Sequence, residues 1–382
     1  MTALLLLKQL IAIDSRNTLP LASPEPRPAD EMDMCAYLQE FLKPLGFDCT
    51  VSYAAERRPN LVAYRETDPK RPTLALETHM DTVGVEGAVR DLLTPQEVSG
   101  RLYGRGAADT KGTMAAQLMT LADPEVRNLP LNLMFIGTCA EETGVEGAPL
   151  LDLSPWNIDG IVVGEPTSNR LVTAHKTPLR IDLTCKGRAA HGACPDAGVN
   201  ALYRMCDVIQ FLRDRMLPEF AAHESAGFEG STLAVTMIDG GIKYNIVPDR
   251  CNATVDMRLA PEAVTAEEVL ASLAQRIKQE TGVDVEICNV RTAPGFAVSP
   301  TLPVVQALSH GIRQTGAAPE PVTVSYCTDA GVFAANGFDA VVFGPGDIAQ
   351  AHGIDEYIEI SQLDEGVAIL KAAAAAFART RP

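Results

Sequence analysis

Seven residues of types that bind metals or transfer protons lie in short motifs along this chain: His79, Asp81, Asp109, Glu141, Glu142, Glu165 and His352. The first two are two residues apart in Thr-His-Met-Asp, so on an extended segment their side chains share one face. Asp81 is then placed to accept the second ring proton of His79 and to orient the imidazole as a metal ligand. A histidine after a strand is usually an ordinary polar residue, and it is this pairing that indicates a metal site.

The acidic motifs extend this prediction. Asp109 ends a glycine-rich loop at a predicted helix start, where the alternative role is an ordinary N-cap. Glu141 and Glu142 end a strongly apolar run, where the alternative is a pair of solvated loop acids. Adjacent side chains diverge, so one of them can bind a metal while the other removes a proton from water. We predict that Glu142 is the ligand and that Glu141 is the general base.

Glu165 and His352 complete the set. Glu165 follows another apolar run in Gly-Glu-Pro-Thr-Ser, and His352 is one of only six histidines in the chain. The alternative for Glu165 is an ordinary loop residue before proline, and His352 alone would mean little. Together, two histidines and three carboxylates suit two adjacent divalent ions that share one bridging carboxylate. Zn²⁺ is the first choice for these donors, and Co²⁺ or Mn²⁺ is also compatible with them.

Predicted strands lie immediately before these motifs. The segment 73–79 looks like a strand. The segments 132–139 and 160–164 are nearly continuous apolar runs, which is typical of strands buried on both faces of a mostly parallel α/β sheet. Ligands of such sheets bind at the carboxyl ends of the strands. The sequence therefore predicts one catalytic edge where the motifs meet.

A segment of different texture interrupts this pattern. Its predicted order is strand 179–185, helix 200–217, strands 231–238 and 250–259, helix 265–280 and strand 283–290. This βαββαβ order is typical of a ferredoxin-like domain with a four-stranded antiparallel sheet. We therefore predict an α/β catalytic domain formed by residues 1–177 and 293–382, interrupted by a lid at 178–292.

Composition excludes several partners and compartments. The net charge is −17, with a sequence pI near 4.8, which argues against a nucleic acid or an anionic membrane surface as partner. No apolar run reaches the roughly 18 residues of a membrane span. The nine cysteines are scattered, without any Cys-x-x-Cys spacing, so a reducing cytoplasm is the expected location.

The motifs, in this order and over nearly the whole chain, resemble the dinuclear zinc amidohydrolases and peptidases. That family includes acetylornithine deacetylase, succinyl-diaminopimelate desuccinylase, aminoacylase and glutamate carboxypeptidase. Within it, three segments look most like the acetylornithine deacetylases: 164–168 with 174–176, 326–330, and 343–352 with 355–357.

The resemblance implies specific roles for the metal ligands. Asp109 would bridge both ions, His79 and Glu165 would complete one site, and Glu142 and His352 would complete the other. Two divalent ions would then be the cofactors.

The resemblance also implies roles within the lid. The lid would form a homodimer, and His191 would reach a partner's active site to stabilise the oxyanion. Without the family, a turn histidine is the simpler reading of His191. Asn245 and Arg258 match positions that hold the substrate carboxylate, a task that suits the planar guanidinium. The alternative for Arg258 is a surface ion pair with Asp256 or Glu262.

The expected reaction is hydrolysis of a small N-acyl amino acid by a metal-activated water. N2-acetyl-L-ornithine is the first expected substrate, with L-ornithine and acetate as products of a step in arginine biosynthesis. Cys327 and Asp329 are expected to line the side-chain pocket, and Asp329 stands where acetylornithine deacetylases often have Glu. Succinyl-diaminopimelate, N-acetylcitrulline and glutamate-terminated substrates stay open. So does a catalytically inert binding protein.

Overall fold

The computed structural model describes residues 1–23, 25, 29–222, 225 and 227–380. The chain forms two compact units. The first comprises Met1–Thr173, Val298–Val322 and Thr328–Pro382, and the second comprises Ala174–Ala297 and Thr323–Cys327.

The strands, in chain order, are β1 Asp48–Ala55, β2 Arg58–Arg65, β3 Thr73–His79, β4 Gln96–Val98, β5 Arg101–Tyr103, β6 Asn132–Thr138, β7 Gly160–Val163, β8 Val172–His175, β9 Thr177–Lys186, β10 Ala190–His191, β11 Thr232–Gly240, β12 Ile246–Val247, β13 Arg250–Leu259, β14 Val285–Thr292, β15 Phe296–Ala297, β16 Val322–Val324, β17 Ala340–Val342 and β18 Tyr357–Glu359. The helices are α1 Ala3–Ile11, α2 Met32–Leu42, α3 Lys111–Ala122, α4 Pro124–Arg127, α5 Ala201–Phe211, α6 Leu217–Ala222, α7 Ala266–Thr281, α8 Pro303–Gln314, α9 Ala330–Ala335 and α10 Ile360–Phe377.

The main sheet of the first unit has the order β1-β2-β6-β3-β7-β17-β8. Its central strands β6, β3, β7 and β17 are parallel, whereas β1, β2 and β8 pair antiparallel with their neighbours. All residues of β3, β6 and β7 are buried, as expected for central strands of a sheet that is covered on both faces. The predicted α/β fold with a mostly parallel central sheet is confirmed.

Helices α1, α3, α8 and α10 contribute to one hydrophobic core with the sheet of this unit. That core includes Leu10, Leu118, Phe135, Leu308 and Leu370. A small sheet of order β18-β5-β4 accompanies it, which the sequence patterns did not predict. This core fixes the positions of the strands that the predicted ligands follow.

The second unit has a four-stranded antiparallel sheet of order β11-β13-β9-β14, with α5 and α7 contributing to its core. The chain order β9-α5-β11-β13-α7-β14 is the predicted βαββαβ order. Helix α7 begins where its capping box lies, because Thr265 and Glu268 each bond the other's main-chain N–H. The predicted helix 200–217 is interrupted, since residues 212–216 form a π-helical turn between α5 and α6.

Among the described residues, no helix combines the length and apolar character needed to cross a bilayer.

Candidate metal centre

The predicted ligands meet at one edge of the main sheet. Strands β3, β6, β7 and β17 run in the same direction, so their carboxyl ends lie side by side. His79 is the last residue of β3 and lies opposite Thr138, the last residue of β6. Glu165 follows β7 by two residues, and His352 lies in the segment after β17. This is the edge where ligands of parallel sheets bind.

The first donor group is formed by His79, Asp109 and Glu165. One ligand atom from each lies within 4.8 Å of the other two, and all three residues are buried. The Nε2 atom of His79 is 3.0 Å from Oδ1 of Asp109. Gly164 allows the segment that carries Glu165 to lie close to the end of β3, because a Cβ at position 164 would lie 2.3 Å from the Thr78 side chain.

The second donor group is formed by Asp109, Glu142 and His352, again with ligand atoms within 4.8 Å of one another. The Nε2 atom of His352 is 3.2 Å from Oδ2 of Asp109 and 2.9 Å from Oε2 of Glu142. The imidazole of His352 is 53% exposed, so this group is open to solvent. Asp109 belongs to both groups and offers a different oxygen to each histidine.

Asp81 contacts His79 differently from the prediction. The nearest acceptor for Nδ1 of His79 is the main-chain oxygen of Asp81 at 3.0 Å, whereas the carboxylate oxygen is 3.5 Å away. The carboxylate instead accepts the main-chain N–H groups of Glu141 and Glu142, each at 3.2 Å. The backbone bends back after His79, so the carbonyl of Asp81 orients the ring of His79. The Asp81 carboxylate holds the turn that carries both glutamates.

That turn is conformationally constrained. Ala140 has a φ of 56°, the left-handed region that residues with a Cβ rarely adopt. Its N–H donates to Oε1 of Glu31, which also forms a fully buried ion pair with Arg58. Such strained positions persist only where surrounding contacts fix them, and they concentrate at functional sites.

Burial and repulsion make the carboxylates of the centre costly to ionise. Burial raises the pKa of Glu165 well above its usual range, and the negative charge of Asp109 raises it further. Burial and the same charge raise the pKa of Glu142 to about 7, although His352 lowers it. Hydrogen bonds with Asp109 and Glu142 raise the pKa of His352 to about 10.

Asp109 itself stays ionised. Burial raises its pKa, but hydrogen bonds with His352 and His79 outweigh that effect and hold the pKa below its usual range. A divalent cation carries the positive charge that this concentration of carboxylates requires, and it displaces protons from such donors when it binds. The donor set, imidazole nitrogens with carboxylate oxygens, therefore fits Zn²⁺ or a similar ion in each group.

Glu141 lies beside both donor groups but belongs to neither. Burial raises its pKa well above the usual range; His79 lowers it, and the charges of Glu142, Asp329 and Asp109 raise it. A carboxyl group with a raised pKa is the type that serves as a general base and then a general acid.

Asp329 lies in a buried acidic pair next to the centre. The hydroxyl of Thr138 is 2.6 Å from Oδ2 of Asp329 and 2.9 Å from Oε1 of Glu77. Because one hydroxyl has one proton to donate, one of the two acids must be protonated. Burial, followed by the charge of Asp329, raises the pKa of Glu77 well above its usual range. Asp329 is 2% exposed, so a substrate pocket lined by its carboxylate stays a prediction.

The remaining predicted residues lie on the second unit. His191 is exposed on β10, and its Nδ1 accepts the N–H of Ala193. The Oδ1 atom of Asn245 is buried without a partner among the described residues. Cys327 is half-buried.

Arg258 forms the ion pair that was its alternative role. Its Nε donates to Oδ1 of Asp256 at 2.8 Å, and its Nη2 is 3.3 Å from the other carboxylate oxygen. The side chain is therefore held in place on β13, and its binding of a substrate carboxylate stays a prediction.

Three further residues support the centre and were not predicted as site residues: Glu77, Arg105 and Glu356. A signal existed for Glu77, because it lies two residues before His79 on a strand and shares its face. Arg105 and Glu356 lie within motifs that were noticed for other residues. Apart from the ion pair between them, their contacts are with main-chain groups, which residue types do not indicate.

Comparisons with known proteins agree with this geometry. Residues 75–376 match the model of the peptidase family M20/M25/M40. Acetylornithine deacetylase from Myxococcus xanthus is 33% identical, over 97% of this chain and 96% of its own length. A probable succinyl-diaminopimelate desuccinylase from Staphylococcus epidermidis is 28% identical, over 86% of this chain and 88% of its own length.

Solved structures share the fold. A tripeptidase from Staphylococcus aureus superposes with a TM-score of 0.80 at 22% identity, covering 99% of this chain and 98% of the other. A Bacillus subtilis protein described as a dinuclear metal binding peptidase superposes with a TM-score of 0.68 at 12% identity, covering 98% and 96%. With its motifs, its two donor groups and these matches, the chain belongs to the peptidase family M20/M25/M40 and is a hydrolase of N-acyl amino acids.

Proposed function

We propose that this enzyme removes the acetyl group from N2-acetyl-L-ornithine, giving L-ornithine and acetate, and so acts in arginine biosynthesis. The observation that carries the proposal is the pair of donor groups that share Asp109, with Glu141 beside them. The choice of substrate is supported by the 33% identity to an acetylornithine deacetylase over 97% of the chain. The scattered cysteines, without any Cys-x-x-Cys spacing, support a cytoplasmic location.

His79, Asp109 and Glu165 would hold one divalent ion, and Asp109, Glu142 and His352 would hold the other. When bound, two such ions acidify water and polarise an amide carbonyl. Zn²⁺ is the first candidate, with Co²⁺ and Mn²⁺ as alternatives.

Glu141 would perform the proton transfers. In its ionised form the carboxylate accepts a proton from the attacking water, and the resulting acid donates that proton to the departing amine. The raised pKa of Glu141 suits this exchange, because proton transfer is most efficient when the pKa of the catalytic group lies near the working pH. Asp81 would support the step by holding the N–H of Glu141 and so fixing the start of its side chain.

The lid residues keep their proposed roles from the family resemblance: His191 as the oxyanion donor supplied by a partner subunit, and Asn245 with Arg258 as the site for the substrate carboxylate. Cys327 and Asp329 remain the proposed side-chain pocket.

We propose a homodimer formed through the lid. Strand β11 and the segment that follows it present large apolar side chains to solvent. Met237 is 68%, Ile242 82% and Tyr244 97% exposed. Exposed apolar patches of this kind mark interaction surfaces. Analytical ultracentrifugation of the wild type and of Tyr244→Ser with Ile242→Ser tests this: we expect a dimer for the first and monomers for the double variant. A fully active wild-type monomer would remove the role of His191 in a partner's site.

A panel of substrates tests the proposed reaction. Zinc-loaded enzyme is assayed for amine release from N2-acetylornithine, N-acetylcitrulline, N-acetylmethionine, succinyl-diaminopimelate and a glutamate-terminated dipeptide, with a chelated sample as control. We expect the highest kcat/KM for N2-acetylornithine and no release after chelation. A preference for succinyl-diaminopimelate, the second candidate because of the desuccinylase match, would change the substrate and keep the mechanism. Release from none of the five would support the binding-protein alternative.

A further inference from the structure

One buried carboxylate collects the main-chain groups of the loop that ends at Asp109. Oε1 of Glu356 accepts the N–H groups of Ala108 at 2.9 Å and of Asp109 at 3.0 Å. Oε2 accepts the N–H of Gly106 at 3.0 Å and Nη1 of Arg105 at 2.6 Å. Four donors from five consecutive residues thus converge on a side chain that is 1% exposed. A loop bonded in this way has few alternative conformations.

Arg105 connects that carboxylate to two other segments. Its Nε donates to the carbonyl of Gly84 at 2.8 Å, and its Nη2 donates to the carbonyl of Gly353 at 3.2 Å. Gly84 follows His79 by five residues, and Gly353 is the neighbour of His352. Arg105 itself is 2% exposed. One guanidinium therefore bonds the segments after His79 and His352 while also bonding Glu356.

We propose that Arg105 and Glu356 are positioning residues of the metal centre, which hold the segments of His79, Asp109 and His352 in fixed relative positions. This inference rests on the proposed function insofar as these three residues are metal ligands. Neither positioning side chain is a ligand. They act through the main chain of the segments that carry the ligands.

The chemistry of the pair favours this role over simple stabilisation. Buried ion pairs are poor stabilisers unless further hydrogen bonds satisfy both partners. Here the partners that satisfy them are main-chain groups of ligand-bearing segments, and neither side chain has a buried polar atom without a partner among the described residues. Ligand orientation is commonly fixed by such outer contacts, whose loss typically lowers metal affinity about 10- to 100-fold.

Asn132 provides a matched control. Like Glu356 it is 1% exposed and bonds the main chain of a nearby loop: Oδ1 accepts the N–H of Thr67 and of Asp68, and Nδ2 donates to the carbonyls of Asp68 and Arg71. It is the first residue of β6, whereas His79 is the last residue of the neighbouring parallel strand β3. Asn132→Ala therefore removes a comparable set of contacts at the opposite end of the sheet.

The experiment compares Glu356→Ala, Glu356→Gln, Arg105→Lys and Asn132→Ala in the full chain. Thermal unfolding is measured on the metal-free proteins, and the dissociation constant for Co²⁺ alone is measured by competition with a chelator. We expect all variants to unfold at lower temperature than the wild type. Only the variants at positions 105 and 356 should lose Co²⁺ affinity, by about 10- to 100-fold for Glu356→Ala.

The mild variants keep the test decisive if Glu356→Ala does not fold. Glu356→Gln retains one acceptor oxygen and Arg105→Lys retains the charge, so each should show a smaller loss of affinity. With saturating metal, kcat should fall while KM stays within about twofold. Native Co²⁺ affinity in Glu356→Gln and Arg105→Lys, or an equal loss of affinity in Asn132→Ala, would overturn the inference.

The affinity measurement also separates this inference from the proposed reaction. Wild-type protein that binds Co²⁺ but hydrolyses no substrate would contradict the proposed function, and the variants would still decide the positioning role. Wild-type protein that binds no Co²⁺ would overturn both.

Discussion

His79 and His352 contact different oxygens of the same carboxylate. The Nε2 atoms of these histidines lie 3.0 Å from Oδ1 and 3.2 Å from Oδ2 of Asp109. A carboxylate offers two oxygens with separate lone pairs, so it can serve two ions at once. The two donor groups of the centre are therefore not independent, and they depend on one residue.

The first prediction concerns that shared carboxylate. Asp109→Asn replaces one anionic oxygen with an amide nitrogen, which does not ligate a cation. We expect the affinity for both ions to fall by at least about 100-fold, beyond the range seen when only outer contacts are lost. Metal content after dialysis against chelator-buffered Zn²⁺ measures this. Asp123→Asn, which removes a distant ion pair with Lys371, is the control. Retention of one tightly bound ion in Asp109→Asn would contradict the shared role.

The second prediction separates the adjacent glutamates. Glu141→Gln should lower kcat by about 10² to 10⁴-fold, the usual contribution of a general acid–base group, with metal content unchanged. Glu142→Gln should instead lower metal affinity. Steady-state kinetics with metal analysis of the same samples tests both. Near-normal turnover by fully loaded Glu141→Gln would show that another group transfers the proton.

The third prediction uses the acid pair bonded to Thr138. Burial and the charge of Asp329 raise the pKa of Glu77 and so favour its protonated form. Glu77→Gln resembles that neutral acid in shape and charge, and its free energy of unfolding should lie within about 1 kcal/mol of the wild type. Glu77→Ala leaves a cavity and an unpaired hydroxyl, and should lower that free energy by about 2 to 5 kcal/mol. Urea unfolding of the metal-free proteins measures both changes. An equally large loss in Glu77→Gln would mean that the ionised carboxylate is required.

The fourth prediction concerns acid sensitivity of the second unit. Burial raises the pKa of Asp256, but hydrogen bonds from Arg180 and Arg258 outweigh it and hold the pKa below 3.8. A lowered folded-state pKa gives stability that is present above the unfolded pKa of about 4 and is lost as pH falls through the folded value. These partners are partly exposed, so the contribution at pH 7 is at most about 1 kcal/mol.

Asp256→Asn therefore should lower the unfolding temperature slightly at pH 7 and should have less effect at pH 3. Thermal scans of both proteins at both pH values make the comparison. An unchanged effect of the substitution at pH 3 would show that the ion pairs are not its cause.

The elements that carry the ligands were predictable because their patterns are strong. The expected strand 73–79 coincides with β3, and the expected segments 132–139 and 160–164 extend one residue beyond β6 and β7. The interiors of β6 and β7 are uninterrupted apolar runs, which makes these strands easy to recognise. The expected meeting of the motifs at one sheet edge follows from the parallel direction of these strands.

Other features could not be read from the sequence because they depend on contacts between distant main-chain groups. Glu356 bonds N–H groups about 250 positions earlier in the chain, and any residue type other than proline supplies a main-chain N–H. Likewise, because the chain bends after His79, the nearest acceptor for the His79 ring is the carbonyl of Asp81 and not the expected carboxylate. Strand β18 has only three residues, too few for a periodic pattern.

The most direct test of the central claim follows activity and bound metal in the same samples. Chelator-treated protein is reconstituted stepwise with Zn²⁺, and bound zinc and acetate release from N2-acetylornithine are measured at each step. We predict no release without metal and a rate that rises until two ions are bound per chain. An unchanged rate in protein stripped of all metal would contradict the account.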